Sequence, residues 1–228
     1  GRLVLTGNKY GNIDVWDSRT GQHVKKLREG GRVDGVFAVA FAPDNRTVAT
    51  GQDNGHVVIW DSSNATVKVN LDAHVREVNG LRFLPDGSQL VSVGNDGKAF
   101  VIDVKAGKVL KDLPTDASAV LCVDACGTAG LAATGEDTGK VRLWDVKTWQ
   151  EKKVYQLHGD KVLGVALSPD GRLLATASAD GTARLWEVES GKPVRVLGGH
   201  AGPVNSVAFS PDGNQLLTGG NDGAVMMW

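Results

Sequence analysis

The segment His200-Ala-Gly-Pro-Val-Asn-Ser-Val-Ala-Phe-Ser-Pro-Asp-Gly213 decides the fold of this chain, because close copies of it recur at a fixed distance. The segment that begins at His158 matches it 42 residues earlier, and the segment that begins at His74 matches both. Tryptophan recurs at the same interval of 42 residues, counted back from Trp228. A repeat of this length indicates stacked supersecondary units, each of which buries its apolar face against its neighbours. The tryptophan positions are Trp228, Trp186, Trp144, Ile102 (the one exception) and Trp60, with Trp16 after a step of 44.

Each unit is predicted to contain four short strands. In the last unit, an apolar strand ends at Ser210-Pro-Asp-Gly213, where proline and glycine favour a tight turn. A second strand ends at Asn221-Asp222-Gly223, a strong hairpin signal, and a third runs to Trp228. The fourth is seen one unit earlier as the more polar Pro193–Leu197. No stretch shows the apolar period of a helix, so the pattern predicts an all-β chain.

These motifs resemble the WD-repeat (beta-transducin-like) propeller family. The dipeptide Trp-Asp occurs at Trp16, Trp60 and Trp144, and Gly199-His200 is the Gly-His pair that opens a repeat. The resemblance covers the whole chain. It implies a beta-propeller of four-stranded antiparallel blades around a central channel.

The repeats predict one propeller domain over residues 1–228. Residues 32–73, 74–115, 116–157 and 158–199 hold full blades. Residues 1–31 hold a partial blade without its innermost strand, and residues 200–228 hold a blade without its outer strand. This count gives about five and a half blades, which we interpret as part of a longer chain with a seven-bladed ring.

Composition and charge exclude several classes of partner. The net charge is −1 and the pI about 6.6, so no electrostatic footprint for nucleic acid or an anionic membrane is visible. Cys122 and Cys126 lie too far apart on one extended strand for a disulfide bond and make a weak metal site without nearby histidines. Two free thiols indicate a reducing compartment, and we expect a cytoplasmic protein without cofactor or metal.

Some residues look catalytic and are interpreted as structural. The resemblance implies a buried hydrogen-bonded tetrad in each regular blade, formed by the sets His158, Thr176, Asp180, Trp186 and His200, Thr218, Asp222, Trp228. A hydrolase triad would also need an exposed nucleophile and oxyanion donors, and no Gly-x-Ser-x-Gly elbow is present. We therefore predict that the chain is not an enzyme.

Three blades depart from the tetrad pattern. Ile102 replaces tryptophan, Asp116 replaces histidine in blade 116–157, and Arg32 replaces histidine in blade 32–73. These blades are expected to be less rigid than the last two, unless their altered residues serve a partner.

The resemblance places protein-binding residues on the narrow top face around the channel. Carried over by register, they are Lys9, Phe37, Asp53, Glu77, Asn79, Asn95, Leu121, Asp137, Lys161, Leu163, Asn205 and Asn221. Apolar anchors rimmed by acidic groups suit a peptide that carries Lys or Arg beside an apolar residue, although Phe37 and Leu121 alternatively plug the channel or pack on the next blade. Trp149, in a turn where other blades have glycine, either packs on the rim or forms a rim contact with a partner.

Two functions follow as hypotheses. The first is a non-catalytic scaffold that presents its top face to a protein or peptide partner within a multiprotein complex. The alternative is a regulatory or sensor module of a larger multidomain signalling protein or NTPase.

Overall fold

The computed structural model describes residues 2–27 and 34–228, and these residues form 22 β-strands. The chain forms two compact units, Gly1–Thr115 and Asp116–Trp228. The first unit contains β1 (Leu3–Gly7), β2 (Ile13–Asp17), β3 (His23–Leu27), β4 (Val36–Phe41), β5 (Thr47–Gln52), β6 (His56–Asp61), β7 (Thr66–Asp72), β8 (Val78–Phe83), β9 (Gln89–Gly94), β10 (Ala99–Asp103) and β11 (Lys108–Leu113). The second contains β12 (Val120–Cys126), β13 (Leu131–Glu136), β14 (Lys140–Asp145), β15 (Glu151–Gln156), β16 (Val162–Leu167), β17 (Leu173–Ser178), β18 (Ala183–Glu187), β19 (Pro193–Leu197), β20 (Val204–Phe209), β21 (Leu216–Gly220) and β22 (Val225–Met227).

Consecutive strands pair antiparallel because tight turns join them. In the turn between β16 and β17, Gly171 adopts a φ of 71°, which glycine accepts without steric cost. The Asp170 carboxylate accepts hydrogen bonds from the Ser168 hydroxyl and from the Arg172 amide in the same turn. The Ser-Pro-Asp-Gly word, present at residues 168–171 and 210–213, thus fixes the point where the innermost strand of those two sheets reverses.

The first unit contains three sheets, with strand orders β1-β2-β3, β4-β5-β6-β7 and β8-β9-β10-β11. Its core lies between neighbouring sheets. One apolar cluster joins Ile13 and Val15 of the first sheet to Val48 and Trp60 of the second. The next cluster continues into the third sheet around Ile102, which is fully buried.

The second unit also contains three sheets, with orders β12-β13-β14-β15, β16-β17-β18-β19 and β20-β21-β22. Val141 and Leu143 pack with Trp186 of the middle sheet, and Ala175 packs with Val204 of the last. Each sheet therefore buries apolar side chains against its neighbour, as stacked units must.

The described strands correct the predicted blade count. The chain forms six antiparallel sheets, four with four strands and two with three strands among the described residues, rather than five and a half blades. The first sheet has three described strands between Leu3 and Leu27, and the last has three between Val204 and Met227. The single domain and the seven-bladed ring stay predictions.

Candidate protein-binding site

Every innermost strand carries a β-bulge at the same register position. The pairing of each innermost strand with the second strand of its sheet shifts by one residue there. A bulge leaves one residue unpaired and re-aims its side chain, so the alternation of the strand no longer dictates burial. The bulged residues are Phe37, Asn79, Leu121, Leu163 and Asn205, five of the predicted site residues.

A backbone hydrogen bond brings two further loops together in each of five sheets. The amide of Asp53 donates to the carbonyl of Gly35 at 2.9 Å, and the amide of Asn95 donates to the carbonyl of Glu77 at 2.9 Å. Equivalent bonds join Asp137 to Ala119, Ala179 to Lys161 and Asn221 to Pro203. The predicted residues that follow the second strand therefore lie beside those that precede the bulge.

In the first unit, Phe37 and Asp53 both lie close to Gly35. A Cβ on Gly35 would lie 2.9 Å from Asp53 Oδ2, 3.1 Å from the Lys9 carbonyl oxygen and 3.3 Å from Phe37 Cε2. Phe37 is 59% exposed and Asp53 is also exposed. We call Lys9, Gly35, Phe37 and Asp53 the Phe37 patch. It presents an aromatic ring beside a carboxylate.

A polar ladder lies in the next sheet of the same unit. Asn79 donates to Asn95 Oδ1 at 2.8 Å, and Asn95 donates to Glu77 Oε2 at 3.2 Å. Hydrogen bonds from its own backbone amide and from Asn95 hold the pKa of Glu77 below its usual value. Glu77 is therefore a fixed negative charge at neutral pH.

In the second unit, one acceptor on the candidate face has no partner. Asp137 Oδ1 is buried, and the described residues offer it no hydrogen bond. Leu121 and Leu163 are half-buried, whereas Lys161, Asn205 and Asn221 are exposed. Buried carboxylate oxygens are normally hydrogen-bonded, so Asp137 Oδ1 is an exception among the described residues.

Sequence reasoning missed Tyr10. It occupies the place of the tetrad aspartate in the first sheet, is 65% exposed and lies under the Lys9 ammonium, 5.1 Å from the ring centroid. Tyrosine is enriched at binding hot spots. Its appearance at a position where the other repeats have Asp, Asn or Thr was the available signal.

The tetrad of blade 158–199 forms a continuous hydrogen-bonded chain. His158 Nδ1 lies 2.8 Å from Asp180 Oδ2, and His158 Nε2 lies 2.6 Å from Thr176 Oγ1. Trp186 Nε1 donates to the same hydroxyl at 2.9 Å. These hydrogen bonds link the entry loop of β16 to β17, to the following turn and to β18.

The hydrogen-bond distances favour a neutral form of this histidine. Indole nitrogen can only donate, so Thr176 Oγ1 accepts from Trp186. The proton of Thr176 can go to His158 Nε2, 2.6 Å from Oγ1, or to the Arg184 carbonyl oxygen, 3.4 Å from Oγ1, and the shorter distance favours His158. His158 is then neutral and donates from Nδ1 to Asp180. Burial lowers the pKa of His158 despite the opposing effect of Asp180, which agrees with the neutral form.

The tetrad of the last sheet has the same geometry. His200 Nε2 lies 2.8 Å from Thr218 Oγ1, its Nδ1 lies 3.1 Å from both Asp222 oxygens, and Trp228 Nε1 donates to Thr218 at 3.0 Å. Hydrogen bonds from the Ala201 and Ala224 amides, with a further contribution from His200, lower the pKa of Asp222 to about 2.

The incomplete tetrad around His74 keeps most of its bonds. His74 is 1% exposed, its Nδ1 lies 2.9 Å from Asp96 and its Nε2 lies 2.9 Å from the Ser92 hydroxyl. Ile102 supplies no donor, and the His74 ring packs on Phe100 with centroids 4.8 Å apart. Only the indole bond is missing from this network.

An ionic cluster replaces the histidine and aspartate of the tetrad in blade 116–157. Arg142 donates from Nε to Glu136 Oε1 at 2.5 Å and from Nη1 to Glu151 Oε2 at 2.5 Å, and it also pairs with Asp116. Glu136 is fully buried and Arg142 is 8% exposed. Trp144 keeps its bond to Thr134 at 3.0 Å. A comparison of Glu136 with Ser178 at the same register would have signalled this change.

Blade 32–73 retains only part of the pattern. Arg32 lies outside the described residues. Trp60 donates to Thr50 at 3.0 Å, and Asn54, in the aspartate position, donates to Asp34 at 2.8 Å.

Trp149 and the cysteines offer little to a partner. Trp149 adopts a φ of 54° and is 6% exposed, which favours packing over a rim contact. Cys122 and Cys126 are free thiols on β12, half-buried and buried respectively.

Residues 2–27 and 34–228 contain neither a candidate metal site nor a candidate membrane-spanning helix. No group of three or more histidine, cysteine, aspartate or glutamate side chains there could hold a metal ion. The same residues contain no helix with the length and apolarity that crossing a lipid bilayer requires.

Comparison with known families decides the classification. The family model "WD domain, G-beta repeat" matches residues 21–61, 65–103, 149–187 and 191–228, which is more than half of the chain. The chain belongs to the WD40 family. Its six antiparallel sheets are thus WD40 blades of a β-propeller, a fold whose members are generally non-enzymatic protein-interaction scaffolds.

Three relatives of this WD40 chain each match about half of its length or less. "Periodic tryptophan protein 2" of Arabidopsis thaliana is 34% identical over 107 residues, 47% of this chain and 12% of that protein. "WD repeat-containing protein 1" of Xenopus tropicalis is 31% identical over 49% of this chain and 18% of its own length. "Small ribosomal subunit protein RACK1" of Caenorhabditis elegans is 39% identical over 36% of this chain and 26% of its own length. The chain thus spans only a small part of these relatives.

Proposed function

We propose that this WD40 chain is a cytoplasmic, non-catalytic scaffold that binds a protein or peptide partner within a multiprotein complex, either as a separate subunit or as part of a longer chain. The observation that carries the proposal is the set of bulged residues. In each of five sheets, a bulge at the same register position turns one side chain away from the alternating in-and-out pattern of the strand. One of these side chains, Phe37 in the first unit, is exposed. Exposed aromatic side chains are the usual anchors of protein interfaces.

The chemistry of the first unit favours a basic partner segment. Asp53 lies beside the Phe37 ring, and Glu77 is held ionised by its hydrogen bonds in the neighbouring sheet. An apolar side chain of the partner would cover Phe37, while an adjacent Lys or Arg would pair with Asp53 or Glu77. Nucleic acid and membrane surfaces are poor candidates, because the net charge is −1.

The buried tetrads support a role without chemistry. Thr176, the hydroxyl closest to His158, is fully buried and already bonded by Trp186 and His158. A nucleophile must reach its substrate, so this His–Asp–hydroxyl chain is suited to holding loops together.

The proposal is tested by a double variant and a matched control. Phe37→Ala with Asp53→Lys removes the anchor and reverses the charge of the Phe37 patch. Val67→Ala with Asp72→Lys makes the same kind of change on exposed residues of β7, the outer strand of the same sheet. A partner is first isolated from a cytosolic extract on the unaltered chain. Its affinity for all three proteins is then measured at two salt concentrations.

We expect the site variant to lose at least tenfold in affinity, which is about 1.4 kcal/mol, and to lose the salt dependence of binding. The control should bind within a factor of two of the unaltered chain. Equal affinities in folded proteins would remove the Phe37 patch from the binding site. A partner that depends on bound RNA or lipid would contradict the proposed partner class.

A further inference from the structure

Tyr10, in the hairpin between β1 and β2, departs from a pattern that the other sheets share. In the five other sheets, the residue at the equivalent place is hydrogen-bonded to another residue of the same blade. These pairs are Asn54 with Asp34, Asp96 with His74, Thr138 with Glu136, Asp180 with His158, and Asp222 with His200. Tyr10 is 65% exposed instead, so a role in holding its own blade together does not explain this side chain.

The Tyr10 ring already holds a cation. The Lys9 ammonium group lies 5.1 Å from the ring centroid, which is within cation–π distance. Lys9 is exposed and forms no ion pair with a described residue. A single cation–π contact at the surface is weak, and the four-carbon stem of lysine is flexible. A cation from a partner can therefore take the place of Lys9 on this ring.

The hairpin that carries Tyr10 is fixed beside the Phe37 patch. The Asn8 side chain accepts hydrogen bonds from the Tyr10 and Asn12 amides, at 2.9 and 3.2 Å. The Asn8 carbonyl accepts a hydrogen bond of 2.9 Å from the amide of Val36, the first residue of β4. This bond joins the hairpin to the next sheet, one residue before Phe37. The backbone around Tyr10 is thus held in place before a partner binds, which reduces the entropy cost of binding.

A carboxylate lies close to the same hairpin. A Cβ on Gly35 would lie 2.9 Å from Asp53 Oδ2 and 3.1 Å from the Lys9 carbonyl oxygen, so both atoms border one small space. The charged side chains of residues 8–12, 34–37 and 52–55 are Lys9, Asp34 and Asp53. Asp34 accepts a hydrogen bond from Asn54 at 2.8 Å, whereas Asp53 is exposed. Asp53 is therefore the exposed counter-charge for a cation that binds beside this hairpin.

An aromatic ring near a carboxylate favours arginine over lysine. The guanidinium group is planar, so it can stack on a ring while its N–H edge donates to a carboxylate. The ammonium group of lysine is a point charge that is more strongly hydrated. The cation that now lies over Tyr10 belongs to a lysine, so an incoming arginine competes with a group that fits the ring less well.

We infer that Tyr10 selects an arginine of the partner, which stacks on the ring, displaces the Lys9 ammonium and pairs with Asp53. This inference rests on the proposed function, because it assigns one residue type to the basic segment that binds the Phe37 patch. An apolar side chain next to the arginine covers Phe37. Lys9 acts as a built-in competitor that weakens the binding of this segment.

The test uses a library of eight-residue peptides with one fixed leucine and randomised flanking positions, selected on the unaltered 228-residue chain. Affinities are measured for the selected peptides and for copies in which arginine is replaced by lysine. Tyr10→Leu removes the ring, and Tyr10→Phe keeps it. Lys9→Met removes the competing cation, and Lys108→Met removes the same charge from the exposed outer strand β11 of the same unit. Phe37→Ala with Asp53→Lys alters the Phe37 patch itself.

We expect the selection to enrich arginine beside the leucine. Tyr10→Leu should weaken the binding of arginine peptides about fivefold and remove their advantage over the lysine copies, while Tyr10→Phe should bind as the unaltered chain does. Lys9→Met should strengthen binding about threefold, because the ring is then open, and Lys108→Met should leave it unchanged. The gain from Lys9→Met should be smaller in the Tyr10→Leu background, whereas a simple charge effect would keep its size.

Three results would overturn the inference. They are equal affinities of Tyr10→Leu and the unaltered chain, lysine copies that bind as well as the arginine peptides, and a gain from Lys9→Met that does not depend on Tyr10. The variant Phe37→Ala with Asp53→Lys separates this failure from that of the proposed function. If this variant loses binding and Tyr10→Leu does not, the Phe37 patch remains the binding site and only the role of Tyr10 is wrong. If neither variant loses binding, or no peptide is enriched, both proposals are wrong.

Discussion

Blade 116–157 and blade 158–199 are neighbours in the second unit. Equivalent loops are connected by ion pairs in the first of these blades and by hydrogen bonds of a histidine in the second. In blade 158–199 the neutral His158 joins Thr176 and Asp180 by hydrogen bonds. In blade 116–157 the charged Arg142 joins Glu136 and Asp116 at the same end of the sheet. Both blades keep the indole bond from tryptophan to threonine, at 2.9 and 3.0 Å. The difference shows that the tryptophan–threonine pair can be kept while the rest of the tetrad is exchanged for ion pairs.

The two arrangements should lose different amounts of stability when one residue is removed. A neutral network loses single hydrogen bonds, each worth about 0.5–1.5 kcal/mol. A buried ion pair that loses one partner leaves an uncompensated charge, which costs more. Four predictions use this contrast, and they follow in order of decreasing effect.

Arg142→Ala is expected to destabilise the second unit by about 3–5 kcal/mol, because Glu136 would remain fully buried without its cation. Lys152→Ala, on the exposed outer strand of the same blade, should change stability by less than about 0.5 kcal/mol. Urea unfolding of both variants measures the difference. A cost for Arg142→Ala no larger than that of Lys152→Ala would show that the cluster does not hold the blade.

A second step sharpens the same measurement. Arg142→Met with Glu136→Gln removes both charges together and keeps side chains of similar size. This double variant should recover at least half of the stability lost in Arg142→Ala, because replacing a buried pair is milder than breaking it.

His158→Ala is expected to cost about 1–3 kcal/mol, since Thr176 and Asp180 each lose a buried partner. His200→Ala in the last sheet should fall in the same range. The partner's affinity for the folded protein should not change, because both imidazole side chains are buried. A thermal melt that does not move would show that the network contributes nothing to stability.

The fold could be predicted from the sequence because the signals repeat. The turn word Ser168-Pro-Asp-Gly171 and its relatives at residues 42–45, 84–87 and 210–213 mark the end of the innermost strand in four sheets, and the register of 42 residues places each strand in its sheet. The register also located the bulged residues, although the bulge itself has no local signature. The bulge is a one-residue shift in the pairing with the second strand, and it is visible only in the structure.

The ionic cluster could not be predicted, because it depends on contacts between distant segments. Asp116 signalled only that a histidine was missing, and the sequence favoured a less rigid blade. Its partner Arg142 lies 26 residues away and Glu151 comes from a third strand.

His74→Ala tests the value of the missing tryptophan. The sequence predicts a smaller cost than in a complete tetrad, because Ile102 supplies no indole donor. The structure raises this expectation: His74 is 1% exposed and keeps its bonds to Ser92 and Asp96. We expect a loss of about 1–2 kcal/mol in urea unfolding, within the range for His158→Ala. A loss below about 0.5 kcal/mol would mean that the indole bond is required for the histidine to contribute.

The smallest expected effect is a difference between blades 116–157 and 158–199 in how acid changes their stability. Burial lowers the pKa of His158 in the folded chain below the usual value near 6.5, so the unfolded chain binds more protons once the pH falls below about 6.5. The stability contributed by this tetrad is therefore complete above that pH and decreases as the pH falls from about 6.5 towards the folded-state pKa. Hydrogen bonding to Lys140 lowers the pKa of Asp116 from 3.8, so that carboxylate begins to lose its contribution only as the pH falls below about 3.8. Between pH 7 and 5, hydrogen exchange corrected for intrinsic rates should accelerate on β17 more than on β13. His158→Gln should remove the difference, and equal acceleration of both strands in the unaltered chain would contradict a neutral His158.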